Sequence, residues 1–86
     1  MILKIDTDRI VTELRQLASF SDVPAPAVTR VVFSEVDAQA RKYLIELFNE
    51  AGLQVRIDPV GNIFARWIGT QPDLPAVGTG SHCDAI

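Results

Sequence analysis

The sequence predicts an α/β fold in which two N-terminal helices are followed by a β-hairpin and a third strand. Two segments of the first half repeat apolar residues at the spacing of amphipathic helices. The second half alternates apolar and polar residues in short runs separated by turn residues, as half-buried strands do. The 86 residues are enough for one small domain, and no interdomain linker is visible among them.

The first helix is predicted over residues 7–18. Asp6-Thr7-Asp8 offers side-chain oxygens that can cap its N-terminus. Its apolar residues are Ile10, Val11, Leu14, Leu17 and Ala18. Residues 19–30 are predicted to form a loop, because Pro24 and Pro26 lack an N–H and restrict the residues before them.

The second helix is predicted over residues 34–51. Ser34 is a suitable N-cap, and Asp37, three residues later, completes a pattern similar to a capping box. Its apolar stripe consists of Val36, Ala40, Tyr43, Leu44, Leu47, Phe48 and Ala51. Gly52 supplies the left-handed backbone conformation that commonly ends a helix.

Three strands are predicted after the second helix. Residues 53–58 alternate apolar and polar side chains, and residues 63–68 form a second strand. Asp58-Pro59-Val60-Gly61-Asn62 has the composition of a turn, so the two strands should form a hairpin. After a loop over residues 69–75, a third strand rich in small residues is predicted over residues 76–81.

Composition and charge exclude several classes of function. The net charge of −3 and the scattered Lys and Arg residues argue against a nucleic-acid partner, which requires a basic patch. A single cysteine cannot form an internal disulfide, which is typical of a reducing compartment. Neither a signal peptide nor an apolar run near 18 residues is visible, so we expect a cytoplasmic protein that does not enter a membrane.

His82 and Asp84 form the candidate functional site. If the third strand extends to Asp84, both side chains lie on one face with their Cα atoms about 6.5 Å apart. The carboxylate can then accept a hydrogen bond from one imidazole nitrogen and orient the other toward a metal. The same triplet also fits a histidine that is merely hydrogen-bonded at a strand end. One imidazole does not hold a catalytic metal, which usually needs three or more protein ligands.

Thr29-Arg30, at the end of the first loop, is polar within an apolar context formed by Val28, Val31, Val32 and Phe33. Arg30 is interpreted as a solvated surface charge, because isolated surface charges usually contribute little. The alternative is that its guanidinium pairs with a carboxylate or with a substrate.

Four segments together resemble the N-terminus of the metal-dependent amidohydrolases that act on ureido compounds. This group contains allantoate amidohydrolase, ureidoglycolate amidohydrolase and N-carbamoyl-L-amino-acid hydrolase, within the wider aminoacylase and carboxypeptidase-like metallopeptidase family. The segments are Val28-Thr29-Arg30-Val31, Ala51-Gly52-Leu53-Gln54-Val55, Val60-Gly61-Asn62-Ile63-Phe64-Ala65-Arg66-Trp67 and Gly80-Ser81-His82-Cys83-Asp84-Ala85-Ile86. The resemblance leans toward the ureidoglycolate and allantoate branch.

The resemblance implies that residues 1–86 are the front part of a metallopeptidase-like catalytic domain. His82 would be a ligand in a two-metal site of zinc, manganese or cobalt, and Asp84 would orient its imidazole. Cys83 would be a packing residue. The substrate would be a small ureido compound, hydrolysed at its carbamoyl C–N bond. The remaining ligands would come from the C-terminal part of the enzyme, which is usually a homodimer, and the 86 residues alone would be inactive.

Two other interpretations stay open at this stage. The chain could be a free-standing α/β module that binds a partner through its open sheet face or edge and has no activity. It could also belong to a peptidase or aminoacylase of the same wider family. The sequence leaves open which ureido or N-carbamoyl compound is the substrate and which metal is bound.

Overall fold

The computed structural model describes residues 2–86. Helices α1 (Thr7–Ser19) and α2 (Glu35–Glu50) precede strands β1 (Gln54–Ile57) and β2 (Ile63–Arg66). The strands pair antiparallel in a two-stranded sheet. The predicted α/β fold, with two helices before a hairpin, is therefore confirmed.

The chain divides into two compact units, and the division falls inside α2. One unit contains the residues up to Ala40 together with Cys83–Ile86, and the other contains Arg41–His82. Within residues 2–86, Ala40 is the one apolar residue that is fully buried. No helix in this part of the chain is both long enough and apolar enough to cross a bilayer.

Helix α1 begins at a capping aspartate, as the sequence predicts. The Asp6 carboxylate accepts a hydrogen bond from the backbone N–H of Arg9 at 3.0 Å. The Asp6 carbonyl accepts from the N–H of Ile10 at 3.1 Å, so two of the donors at the helix start are satisfied. One turn further on, Arg9 and Glu13 form an ion pair at 2.8 Å on the exposed surface.

Helix α2 begins with a variant of the predicted capping box. The Ser34 hydroxyl accepts a hydrogen bond from the N–H of Asp37 at 3.3 Å, as an N-cap does. The buried Asp37 carboxylate accepts from the N–H of Phe33 at 2.9 Å rather than from that of Ser34. Phe33 has a φ of +66°, a conformation that is uncommon for a non-glycine residue. The carboxylate thus stabilises the turn that leads into α2.

Helix α2 ends in the motif that Gly52 predicts. Gly52 has a φ of +79°, and its N–H donates to the carbonyl of Asn49 at 3.0 Å. The N–H of Leu53 donates to the carbonyl of Phe48, also at 3.0 Å. These two bonds define a Schellman motif, which satisfies carbonyls that the end of the helix leaves open.

The hairpin is closed by Asp58. Its Oδ1 accepts hydrogen bonds from the N–H of Val60 at 3.0 Å and from the N–H of Asn62 at 2.8 Å. Its Oδ2 accepts from the side-chain amide of Asn62 at 2.8 Å. Hydrogen bonds from the Asn62 side chain, then from the Asn62, Val60 and Gly61 backbone, lower the pKa of the Asp58 carboxyl below its ordinary value. Gly61 adopts a φ of +93° within this turn.

The predicted third strand is not formed. Residues 76–81 make no strand pairing in the described part of the chain, and they are exposed throughout. Val77, the one large aliphatic residue of this segment, is fully exposed. A strand needs a neighbouring strand for its N–H and C=O groups, and β1 and β2 pair only with each other. The pairing that does occur lies further on, where Ala85 forms an isolated antiparallel bridge with Arg30.

Candidate functional site

His82 lies at the end of an exposed segment that begins after β2. The imidazole is exposed, whereas Cys83 and Asp84 are half-buried. Because residues 76–81 form no strand, the side-by-side placement of His82 and Asp84 that strand geometry predicts stays a prediction. Cys83 is a free thiol.

Arg30 is the residue that holds the segment after His82. The Arg30 N–H donates to the Ala85 carbonyl at 2.8 Å, and the Ala85 N–H donates to the Arg30 carbonyl at 3.0 Å. The Arg30 side chain adds a third bond, from Nε to the Cys83 carbonyl at 2.9 Å. The backbone on both sides of Asp84 is therefore attached to Arg30.

The rest of the Arg30 guanidinium lies at the C-terminal end of α1. Its Nη1 donates to the Leu17 carbonyl at 2.9 Å and to the Phe20 carbonyl at 2.6 Å. The end of a helix carries unsatisfied carbonyls and a partial negative charge, so a cation is favourable there. Arg30 is only 5% exposed. The interpretation of Arg30 as a solvated surface charge is wrong, because the guanidinium is buried and donates to backbone carbonyls. Pairing of Arg30 with a substrate stays a prediction.

The loop before Arg30 is shaped by Ser21. The Ser21 hydroxyl accepts hydrogen bonds from the N–H of Thr29 at 2.9 Å and from the N–H of Val23 at 3.2 Å. The N–H of Asp22 donates to the Thr29 carbonyl at 2.9 Å. The two ends of the proline-containing loop are thereby joined, which places Arg30 directly after the junction.

The described residues do not form a complete metal site. Residues 2–86 contain no group of three or more His, Cys, Asp or Glu side chains that could hold a metal ion. The donor chemistry of His82 nevertheless suits a single ligand, since an exposed imidazole is accessible and a carboxylate follows two residues later. The chemistry of His82 therefore fits the role of one metal ligand.

A broad, open depression lies within the Arg41–His82 unit. It has a volume of about 1200 Å³ and is lined by residues of both strands, by Asn62, Trp67, Gly69 and Gln71, and by residues 74–80. Its described lining contains no His, Cys, Asp or Glu residue, and its charged groups are Arg56 and Arg66. The Arg56 guanidinium stacks over the Phe64 ring at 4.1 Å, and Arg66 donates to the Pro72 carbonyl at 2.9 Å.

Comparisons with known proteins give a consistent result. A ureidoglycolate hydrolase of Oryza sativa subsp. japonica is 52% identical over 95% of this chain, and one of Arabidopsis thaliana is 51% identical over 98%. An N-carbamoyl-L-amino-acid amidohydrolase of Paenarthrobacter aurescens is 43% identical over 96%. The chain spans 17–20% of the length of these relatives. No protein-family model matches the chain.

Solved structures give the same result. A crystal structure of AtUAH in complex with glyoxylate and another in complex with (S)-hydroxyglycine both match this chain. In each case the TM-score is 0.94 and the identity 51%, over 98% of this chain and 20% of the other.

The chain is thus homologous to part of a hydrolase, and the class of hydrolase is an amidohydrolase. Specifically, its homologues include ureidoglycolate hydrolase, N-carbamoyl-L-amino-acid amidohydrolase and allantoate amidohydrolase, each matched over part of its length. The resemblance stated from the sequence motifs is confirmed.

The structural role of Arg30 could not be predicted from the sequence. Its partners lie 10, 13 and 53 residues away along the chain, so no local pattern could identify them.

Proposed function

We propose that this chain is the N-terminal portion of the catalytic domain of a metal-dependent amidohydrolase. The enzyme would hydrolyse the carbamoyl C–N bond of a ureido or N-carbamoyl compound. The observation that carries this proposal is the similarity, over nearly the whole chain, to two plant ureidoglycolate hydrolases. Because the N-carbamoyl amino acid relative is less similar, ureidoglycolate is the first substrate to test.

The exposed surface supports a role as part of a larger domain. The chain exposes 7346 Å², whereas a folded monomer of 9.4 kDa is expected to expose roughly 5000 Å². Trp67 is 88% exposed and Val77 is fully exposed, although side chains of this kind are normally covered. The remainder of the catalytic domain would cover this surface.

We assign His82 the role of metal ligand and Asp84 the role of orienting it. A neutral imidazole binds a cation through one nitrogen, and a carboxylate that accepts the N–H of the other nitrogen fixes the tautomer. When bound, a divalent cation supplies polarisation of the substrate carbonyl and a nucleophile at neutral pH. His82 would supply one of the ligands of that cation, and Asp84 would keep the imidazole in the tautomer that can bind it.

The remaining features of the proposal follow the family resemblance. The complete site would contain two metal ions, zinc, manganese or cobalt, with most ligands outside residues 2–86. This fits the finding that the described residues offer fewer than three clustered donors. The complete enzyme would be a cytoplasmic homodimer.

A chimeric enzyme tests the proposal. The Arabidopsis ureidoglycolate hydrolase would have its matching segment replaced by this whole chain, which is 51% identical to it. Ammonia release would be measured with ureidoglycolate, allantoate and N-carbamoyl-L-amino acids. We expect turnover of ureidoglycolate by the chimera, whereas the 86-residue chain alone should bind zinc or manganese weakly and release no ammonia.

Two substitutions in the chimera test the assigned residues. His82→Ala should remove most activity and lower the bound metal measured by elemental analysis. Asp84→Asn should weaken metal binding roughly 10- to 100-fold, while Asp73→Asn, the same change in an exposed loop, should have no effect. Full metal content and activity in the His82→Ala chimera would refute the proposal. A chimera that folds but is inactive on every substrate would favour the interaction module instead.

A further inference from the structure

We propose that Arg30 is a positioning residue that sets the direction of the Asp84 side chain. This inference rests on the proposed function of His82 and Asp84. It starts from the hydrogen bonds that join Arg30 to the backbone of Cys83 and Ala85.

Both peptide planes that flank Asp84 are bonded to Arg30. The Cys83 carbonyl belongs to the plane before Asp84, and it accepts from the Arg30 Nε at 2.9 Å. The Ala85 N–H belongs to the plane after Asp84, and it donates to the Arg30 carbonyl at 3.0 Å. Peptide units are planar, so the two soft dihedrals of Asp84 are those between these planes. Fixing both planes fixes the Cα–Cβ direction of Asp84.

The guanidinium is itself held from the opposite side. Its Nη1 is bonded to the carbonyls of Leu17 and Phe20 at the end of α1. A guanidinium presents its N–H groups in a rigid planar fork, so fixing Nη1 also fixes the direction of the Nε–H. The position of the Cys83 carbonyl is therefore fixed relative to the C-terminal end of helix α1.

The burial of Arg30 shows that this arrangement is not an incidental surface contact. A buried charge is costly unless its hydrogen-bonding groups are satisfied. Arg30 is 5% exposed, and all three hydrogen bonds of its side chain end on backbone carbonyls. The guanidinium and these carbonyls satisfy one another, which gives the segment after His82 one defined conformation.

The test is a double-mutant cycle on zinc affinity in the chimera. Zn²⁺ binding would be measured by calorimetry for the parent chimera, Arg30→Met, Asp84→Asn and the double variant. We expect Arg30→Met to weaken binding about 10-fold, the lower end of the range for residues that orient a ligand. Because Arg30 acts through Asp84, adding Arg30→Met to Asp84→Asn should cause little further loss. Full additivity of the two losses would overturn the inference.

Two controls separate positioning from general destabilisation. Ser34→Ala removes the cap of α2 in the same compact unit without touching the segment after His82, and it should leave Zn²⁺ affinity within about twofold. Hydrogen exchange at the Ala85 amide should accelerate in Arg30→Met and not in Ser34→Ala. If Ser34→Ala loses as much zinc affinity as Arg30→Met, Arg30 only stabilises the fold and does not position Asp84.

The outcomes also distinguish the inference from the proposed function. If His82→Ala and Asp84→Asn both leave Zn²⁺ affinity unchanged, the metal role fails and the inference fails with it. If both weaken zinc binding but Arg30→Met does not, the inference alone fails. Should Arg30→Met not fold, the same cycle with Arg30→Lys decides, since a lysine keeps the charge but loses the planar fork.

Discussion

Arg30 and Asp58 both direct a charged side chain at the backbone, but over very different distances along the chain. The Arg30 guanidinium donates to carbonyls that are 10, 13 and 53 residues away. The Asp58 carboxylate accepts from N–H groups two and four residues later. One residue joins distant segments, and the other closes a single turn.

The two regions also differ in their access to water. Arg30 is buried and its three side-chain hydrogen bonds are partly buried, so water replaces them less easily if the guanidinium is removed. The bonds of Asp58 lie at an exposed hairpin turn, where water can take over part of the hydrogen bonding. We therefore expect the hydrogen bonds between side chain and backbone to contribute more to the free energy of unfolding at Arg30 than at Asp58.

The largest expected effect is that of Arg30→Met. Hydrogen bonds to a charged group contribute about 1.5–3 kcal/mol each, and the contributions within one cluster are not additive. We therefore expect the free energy of unfolding to fall by about 3 kcal/mol. Urea denaturation would measure it, with hydrogen exchange at the Arg30 and Ala85 amides as a local readout.

The matched control for Arg30→Met is Arg15→Met. Arg15 lies on the exposed surface of α1, so this substitution should change stability by less than about 0.5 kcal/mol. Equal stability of the two variants would remove the contrast between a buried cation and an exposed one.

The second effect, from Arg30→Lys, sharpens the comparison by separating charge from shape. A lysine ammonium keeps a cation near the end of α1, but its donors radiate from one nitrogen and cannot reproduce the fork. We expect a loss of about 1–2 kcal/mol, measured by the same denaturation and compared with Arg15→Lys. If Arg30→Lys is as stable as the parent chain, a positive charge at the end of α1 is sufficient and the planar fork is not needed.

The local elements of this fold could be predicted from the sequence. The caps at Asp6 and Ser34, the helix end at Gly52 and the hairpin turn at Asp58 each depend on residues within about five positions. In each case the interacting atoms belong to neighbouring residues, so a short pattern contains all the partners.

The features that depend on distant partners could not be predicted. The pattern of residues 76–81 was compatible with a strand, but a strand requires a partner that the local pattern does not contain. The position of Arg30 depends on Cys83 and Ala85, more than 50 residues later. The candidate site was found through its only histidine, and its attachment to Arg30 emerged only from the structure.

A smaller effect is expected from Asp58 substitutions. Asp58→Ala removes the acceptor for the N–H groups of Val60 and Asn62, whereas Asp58→Asn keeps one side-chain oxygen in that position. Both variants should be more stable than Arg30→Met, and Asp58→Ala should be less stable than Asp58→Asn. Exchange at the Asn62 amide should accelerate in Asp58→Ala. If Asp58→Ala proves as damaging as Arg30→Met, the argument from water access is wrong.

The smallest expected effect is the pH dependence contributed by Asp58. Hydrogen bonds from Asn62 hold the pKa of Asp58 in the folded chain below its ordinary value near 3.8. A lowered pKa in the folded state stabilises the fold above the ordinary value, and this stabilisation is lost as the pH falls below it toward the folded pKa. The stability difference between the parent chain and Asp58→Asn should therefore be constant from pH 5 to 7, about one unit or more above that value, and should change only below about pH 4. Asp73→Asn, at an exposed loop position, serves as the matched comparison. A difference curve for Asp58→Asn that is flat down to pH 2 would show that the turn is held equally well by a protonated carboxyl, and that its charge has no part in closing the hairpin.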